Sequence, residues 1–144
     1  MRSAYEGAAM IDTSAVLALH DPQDGHHQFA VRLFNNTSNL GDLKWLVLDA
    51  TTHELFTRAR YNGSLRSAQE QYAFVRRTPF RLVRYLPEDE KSAEALLEKY
   101  ADQRLSFHDA LCSAVMLRLG VYRIFAFDFH FSVVGFQVIP GMGA

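Results

Sequence analysis

The stretch "AAMIDTSAVLAL" (residues 8–19) decides how the fold is read. Its first four residues form an unbroken apolar run too short for a helix, which reads as a buried strand. The run stops at a carboxylate, Asp12, and resumes behind two small hydroxyl residues, Thr13 and Ser14, in a segment read as a helix over 13–20. Asp12 therefore has two readings. It is a helix cap, or it is an acid held rigidly at the lip of a buried strand as part of a site.

Outward from there the apolar period keeps switching between strand and helix. Phe29, Ala30, Leu33 and Phe34 form a helical stripe, and "WLVL" (45–48) is a second buried strand. Leu55, Phe56 and Ala59 continue as a helix, "YNGS" (61–64) marks a turn, and Leu65, Ala68, Tyr72 and Val75 make another helical face. "FRLVRYL" (80–86) reads as an edge strand with its arginines on the wet side. Pro87 with acids behind it opens a helix carrying Ala93, Leu96, Leu97 and Tyr100, and "SFHDALCSAVMLRLG" is a helix stopped by Gly120. "RIFAF" (123–127) and "FQVI" (136–139) are the last strands. Helices alternating with short apolar strands predict an α/β fold with a mainly parallel sheet.

The 144 residues suit a single domain, and 49% apolar with 22% charged residues is globular composition, which excludes a disordered chain. The lone cysteine, Cys112, excludes a disulfide framework and a cysteine-based metal site. No apolar run reaches the roughly 20 residues of a membrane span, and the N-terminus carries no export pattern. A soluble cytoplasmic protein with no membrane partner is expected. Net charge is −1 but uneven: residues 57–86 hold seven arginines against Glu70, and residues 88–102 hold six acids against Lys91 and Lys99. The basic stretch suits a surface that meets phosphates, or else a solvated helix face.

In open parallel sheets, sites form beyond the carboxyl ends of the strands. Strand one ends at Asp12, strand two ends at Asp49 with Glu54 a turn later, and the "IFAF" strand ends at Asp128. Asp109 lies in the first turn of the preceding helix, and helix starts share that edge of the sheet. Capping explains each acid singly, with Ser106-x-x-Asp109 and Thr51-x-x-Glu54 as capping-box patterns. Capping does not explain why they share an edge. Gathered carboxylates repel, and a hard dication such as Mg²⁺ or Mn²⁺ removes that penalty while binding phosphate oxygens. Asp-x-Asp phosphatase and receiver-domain patterns fit less well, since Ser14 stands two after Asp12 and no lysine follows Lys99. No glycine-rich phosphate loop is present. Cys112 reads as core, and His53 and His108 as exposed first-turn residues.

The stretches "IDTSAVLAL", "THELFTRAR", "LSFHDALCSAVM" and "FAFDFHFSVVGFQVIP" resemble, in order and spacing, those of PIN-domain nucleases, most like the VapC toxins of toxin–antitoxin pairs. The resemblance runs over about residues 9–140, and "DGHHQFA" adds Asp24, His27 and Ala30 as a structural match. It implies a PIN-like domain over 9–144 preceded by an extension over 1–8, with a five-stranded sheet flanked by helices. It carries catalytic roles onto Asp12, Glu54, Asp109 and Asp128, with Asp12, Asp109 and Asp128 as ligands of Mg²⁺ or Mn²⁺. Ser14 matches the hydroxyl after the first acid. Arg58, Arg60 and His130 are expected around the substrate, with Tyr61 or Tyr72 stacking a splayed base. It further implies an RNA substrate in loops of tRNA or rRNA, a VapB-like antitoxin and a homodimer. Two positions depart from the family pattern: Ala126 replaces a hydroxyl residue and His130 replaces an acid. They leave open an alternative, a catalytically weakened PIN-fold module that binds nucleic acid or a partner.

Overall fold

The computed structural model describes residues 5–38, 44–77 and 79–139. Five strands, β1 (Ala8–Ile11), β2 (Lys44–Leu48), β3 (Phe80–Val83), β4 (Arg123–Phe125) and β5 (Gln137–Ile139), form one sheet in the order β3-β2-β1-β4-β5. Every pairing is parallel, with Met10 beside Leu46 and Ile11 beside Phe125. The central strands are buried on both faces, which is why their sequences are continuous apolar runs. Alternate residues go to opposite sides: Met10, Leu46, Leu48 and Ile124 enter one core, and Ile11, Trp45, Val47 and Phe125 the other.

Helices cover both faces, giving the expected α/β domain. Four of them, α1 (Thr13–His20), α2 (His27–Ser38), α3 (Asp49–Asn62) and α4 (Leu65–Val75), pack on the Trp45 side. The others, α5 (Pro87–Lys99), α6 (Phe107–Leu119) and α7 (His130–Val134), pack on the Met10 side. Helix α6 is buried without a break from Asp109 to Met116. It ends at Gly120, whose φ of 73° needs the left-handed region that glycine enters cheaply. Asp24 and His27 serve the entry of α2: the Asp24 side chain accepts from His26 N, and His27 Nδ1 lies 2.7 Å from Ala18 O.

Several boundaries differ from the sequence reading. The strand expected over 80–86 stops at Val83, because Tyr85 N donates to Asp49 Oδ1 at 3.3 Å and Leu86 N to Asp89 Oδ2 at 2.7 Å. The strand expected over 123–127 stops at Phe125, because Phe127 N donates to Ser14 Oγ instead of to a strand. Helix α7 had no apolar period long enough to announce it. β1 begins at Ala8, and Tyr5 packs on the core with Arg81 over its ring at 5.4 Å. Residues 1–4 of the expected extension, and the end of the domain from Pro140 on, lie outside the described residues.

Strand order reverses at β1: the chain steps outward to β2 and β3, then returns to the far side of β1 as β4. Beyond the carboxyl ends of β1 and β4 the connections diverge and a crevice opens.

Candidate metal centre

That crevice is a cleft of about 800 Å³, and Asp12, Glu54, Asp109 and Asp128 all line it. Asp12 follows β1 directly and is 4% exposed. It is both things its sequence position suggested. Its Oδ2 caps α1 by accepting from Ser14 N at 3.2 Å, and it also faces the cleft. Ser14 Oγ donates to the same oxygen at 2.7 Å and accepts from Phe127 N at 3.0 Å, so one hydroxyl ties the β1 acid to the β4 exit. Burial pushes the Asp12 carboxyl above its ordinary range, against the Ser14 hydrogen bonds and the nearby His108.

Glu54 projects from α3 and Asp109 from the first turn of α6, where Ser106 Oγ accepts from Asp109 N at 3.0 Å. Between these two acids stands His108. Its Nδ1 lies 3.2 Å from Glu54 Oε2 and 3.5 Å from Asp109 Oδ1, and its Nε2 lies 2.7 Å from Thr51 Oγ1. Burial disfavours the imidazolium, but Asp109, Glu54 and Asp12 outweigh it and raise the His108 pKa above its ordinary value. Burial likewise opposes ionisation of Asp109, yet His108 and Ser106 hold its carboxyl below the ordinary range. Asp128 Oδ1 accepts from His130 N at 2.9 Å and lies 2.9 Å from His130 Nδ1, which is 3.5 Å from Asp109 Oδ2.

The structure therefore gathers all four acids named from sequence, with Ser14, Arg58 and His130 also on the cleft wall. Arg58 lies 3.6 Å from Glu54, one helical turn back. Arg60 does not reach the cleft; it lines a separate depression with Phe56, Thr57 and Tyr61. Asp49 is not on the wall either, because it holds Tyr85 N and sits 4.0 Å from Arg84. Thr51 does not cap α3, which starts two residues earlier, and its hydroxyl instead meets His108. His108 corrects the sequence reading most: its side chain is 10% exposed, not a surface residue, whereas His53 is exposed as expected. Arg104, Ser106 and Phe129 line the cleft unannounced. Only Ser106 carried a signal, its capping pattern with Asp109. Of the two tyrosines, Tyr61 is 84% exposed, while Tyr72 packs edge-on against Phe56 under Arg76.

The donor set fits a divalent cation. Four carboxylates share one cleft, and the buried Nδ1 atoms of His108 and His130 have no hydrogen-bond partner among the described residues. Two groups keep one donor atom per residue within 4.8 Å of one another: Asp12, His108 and Asp109, and Asp109, Asp128 and His130. Asp109 belongs to both.

Known proteins place this architecture. The crystal structure of VapC20 from Mycobacterium tuberculosis, a sarcin–ricin loop cleaving toxin, superposes with a TM-score of 0.80 at 26% identity. The match covers 89% of this chain and 95% of that one. VapBC2 from Rickettsia felis, solved bound to a DNA fragment from its promoter, matches with a TM-score of 0.65 at 9% identity, over 91% and 96% of the two chains. At that identity it shows the fold alone. No curated protein sequence matches the chain. The family profile of the PIN domain covers residues 9–137, from β1 into β5 and across all four acids. By that span and by the parallel sheet that carries the acids, the chain belongs to the PIN-domain family and is VapC-like in structure.

Proposed function

We propose that this protein is a divalent-metal-dependent endoribonuclease, the toxin of a toxin–antitoxin pair. One observation carries the reading: four carboxylates from β1, α3, α6 and the β4–α7 loop line one cleft at the switch point of the sheet. Asp12, Asp109 and Asp128 would hold Mg²⁺ or Mn²⁺, and Glu54 would hold the ion or orient the attacking water. A dication there supplies an activated water and stabilises the departing oxygen of a phosphodiester. Ser14 fixes the direction of Asp12, while Arg58 and Arg104 stand where backbone phosphates would enter. Phe129, 55% exposed on the cleft rim, and Tyr61 offer flat surfaces to unstacked bases, which suits loops of tRNA or rRNA. Because the similar VapC20 is a sarcin–ricin loop cleaving toxin, that loop is the first substrate to offer. A VapB-like antitoxin and a homodimeric state complete the proposal.

The test is to induce expression in cells and map RNA cut ends for wild type and Asp109→Asn. Purified protein is assayed beside it on the same RNA with Mn²⁺ and with EDTA. Discrete cuts that vanish in Asp109→Asn and in EDTA are expected. Cuts that survive both would overturn the metal mechanism. Ala126 and His130 favour the second reading, a binding module with lost catalysis, and a metal-dependent rise in Tm without cleavage of any RNA would select it.

A further inference from the structure

We propose that a second depression, beside the acidic cleft, is a guanine subsite that seats a base of the RNA next to the bond that is cut. The inference rests on the ribonuclease reading above and names the base that the enzyme prefers. The depression holds about 280 Å³ between the α1–α2 connection and the α3–α4 hairpin. Arg58 stands on its wall and on the wall of the cleft, so the two spaces adjoin. An observation separate from any acid points to a ligand. Gln71 of α4 forms part of the wall and is 5% exposed, yet its Oε1 is buried with no hydrogen-bond partner among the described residues. Its Nε2 is spent on Ser67 Oγ at 3.2 Å. A buried amide oxygen left unpaired is costly, and an N–H donor entering the depression removes that cost.

The other groups on that wall ask for the same partner. Asp21 and Asp24 each give one carboxylate oxygen to a backbone amide, that of Gln23 at 2.9 Å and that of His26 at 2.8 Å, and each keeps its second oxygen. His20 Nδ1 donates to Val16 O at 3.1 Å, and burial lowers the pKa of the ring, so the neutral imidazole keeps Nε2 as an acceptor. These acceptors share the wall with a cation, Arg58. Guanine alone among the bases sets two adjacent N–H donors, N1 and N2, on its Watson–Crick edge. It also carries the O6 and N7 acceptors that an arginine grips. Amide and carboxylate oxygens suit the first edge, and Arg58 suits the second. A basic side chain from a protein partner offers donors too, but it brings nothing for Arg58 to hold.

The experiment titrates the full chain, in EDTA, with GMP, IMP, AMP, CMP and UMP and with argininamide, following the Gln71 side-chain and Ser67 backbone amides by NMR. In parallel the protein cuts a randomised RNA library with Mn²⁺, and the cut ends are sequenced. GMP should bind about tenfold more tightly than AMP, CMP and UMP, and IMP, which lacks the N2 amino group, should bind more weakly than GMP. Cut ends should carry guanine at one fixed position. Gln71→Leu removes the unpaired oxygen, and Asp24→Asn keeps an oxygen for His26 N while removing the charge. Each should lower the guanine bias about tenfold. If Gln71→Leu does not fold, Asp24→Asn decides, since Asp24 lies in the connection between α1 and α2. No preference among the nucleotides, cut ends without guanine bias, or a bias unchanged in both variants would overturn the subsite and leave the ribonuclease reading standing. Tighter binding of argininamide than of GMP would overturn it in favour of a basic protein side chain. GMP preference without cleavage of any RNA would support the guanine pocket and overturn the ribonuclease reading.

Discussion

Ser14 Oγ sits between Asp12 Oδ2, 2.7 Å away, and Phe127 N, 3.0 Å away, and so fastens the ends of two neighbouring strands to each other. The hydroxyl both aims the acid and satisfies a half-buried N–H. Ser14→Ala should therefore cost about 1–2 kcal/mol in urea unfolding, from the bond lost and the donor orphaned. The rise in Tm on adding Mn²⁺ should shrink as well. An unchanged Mn²⁺ effect would show that Asp12 needs no such support.

Asp12 is buried with its carboxyl pushed above the ordinary range, so its ionisation weakens the metal-free fold. That penalty grows as pH rises from the unfolded value through the raised folded one. Asp12→Asn keeps an oxygen to cap α1 and removes the charge. Its metal-free Tm at neutral pH should exceed wild type by about 2–4 °C, and added Mn²⁺ should no longer raise it. Differential scanning calorimetry with and without Mn²⁺ checks both.

His108 provides a pH signature of the metal-free protein. Its folded pKa lies above the ordinary 6.5, held there by Asp109, Glu54 and Asp12 against burial. A raised histidine contributes stability that is whole below the unfolded value and is lost as pH rises through the folded one. Metal-free wild type should lose stability across that window, and His108→Gln should not. Tracking the His108 ring protons by NMR locates the midpoint, and a midpoint below 6.5 would contradict the arrangement.

Arg118 of α6 grips Asp89 of α5 through two hydrogen bonds, 2.8 and 2.9 Å long. Asp89 is 1% exposed and also accepts from Leu86 N, so it ties both helices to the β3 exit. Burial opposes its ionisation, but Arg118 and the Leu86 amide win and hold the carboxyl below its ordinary 3.8. Its contribution is present above that value and disappears as pH falls through the lowered one. Asp89→Asn should cost about 2 kcal/mol near pH 7, and the gap from wild type should close in strong acid. Cleavage by the folded variant should match wild type.

By itself, the sequence determined the layered α/β plan and the acids at the mouth of the cleft. Short unbroken apolar runs closed by a charged or turn residue fit strands covered on both faces, and a carboxylate closing such a run is aimed by the strand that carries it. Asp12, Asp109 and Asp128 were legible because strand ends and helix starts share one edge. The tertiary structure alone decided which neighbours join them. His108 has the same local pattern as a surface residue, and only the packing of α6 against α3 brings its ring between Glu54 and Asp109 and under Thr51. Arg58 faces the cleft and Arg60 does not, because two positions on a helix point about 200° apart and the side that α3 buries selects between them. Local residue types set where charge sits along the chain, whereas contacts between distant segments set what each charge faces.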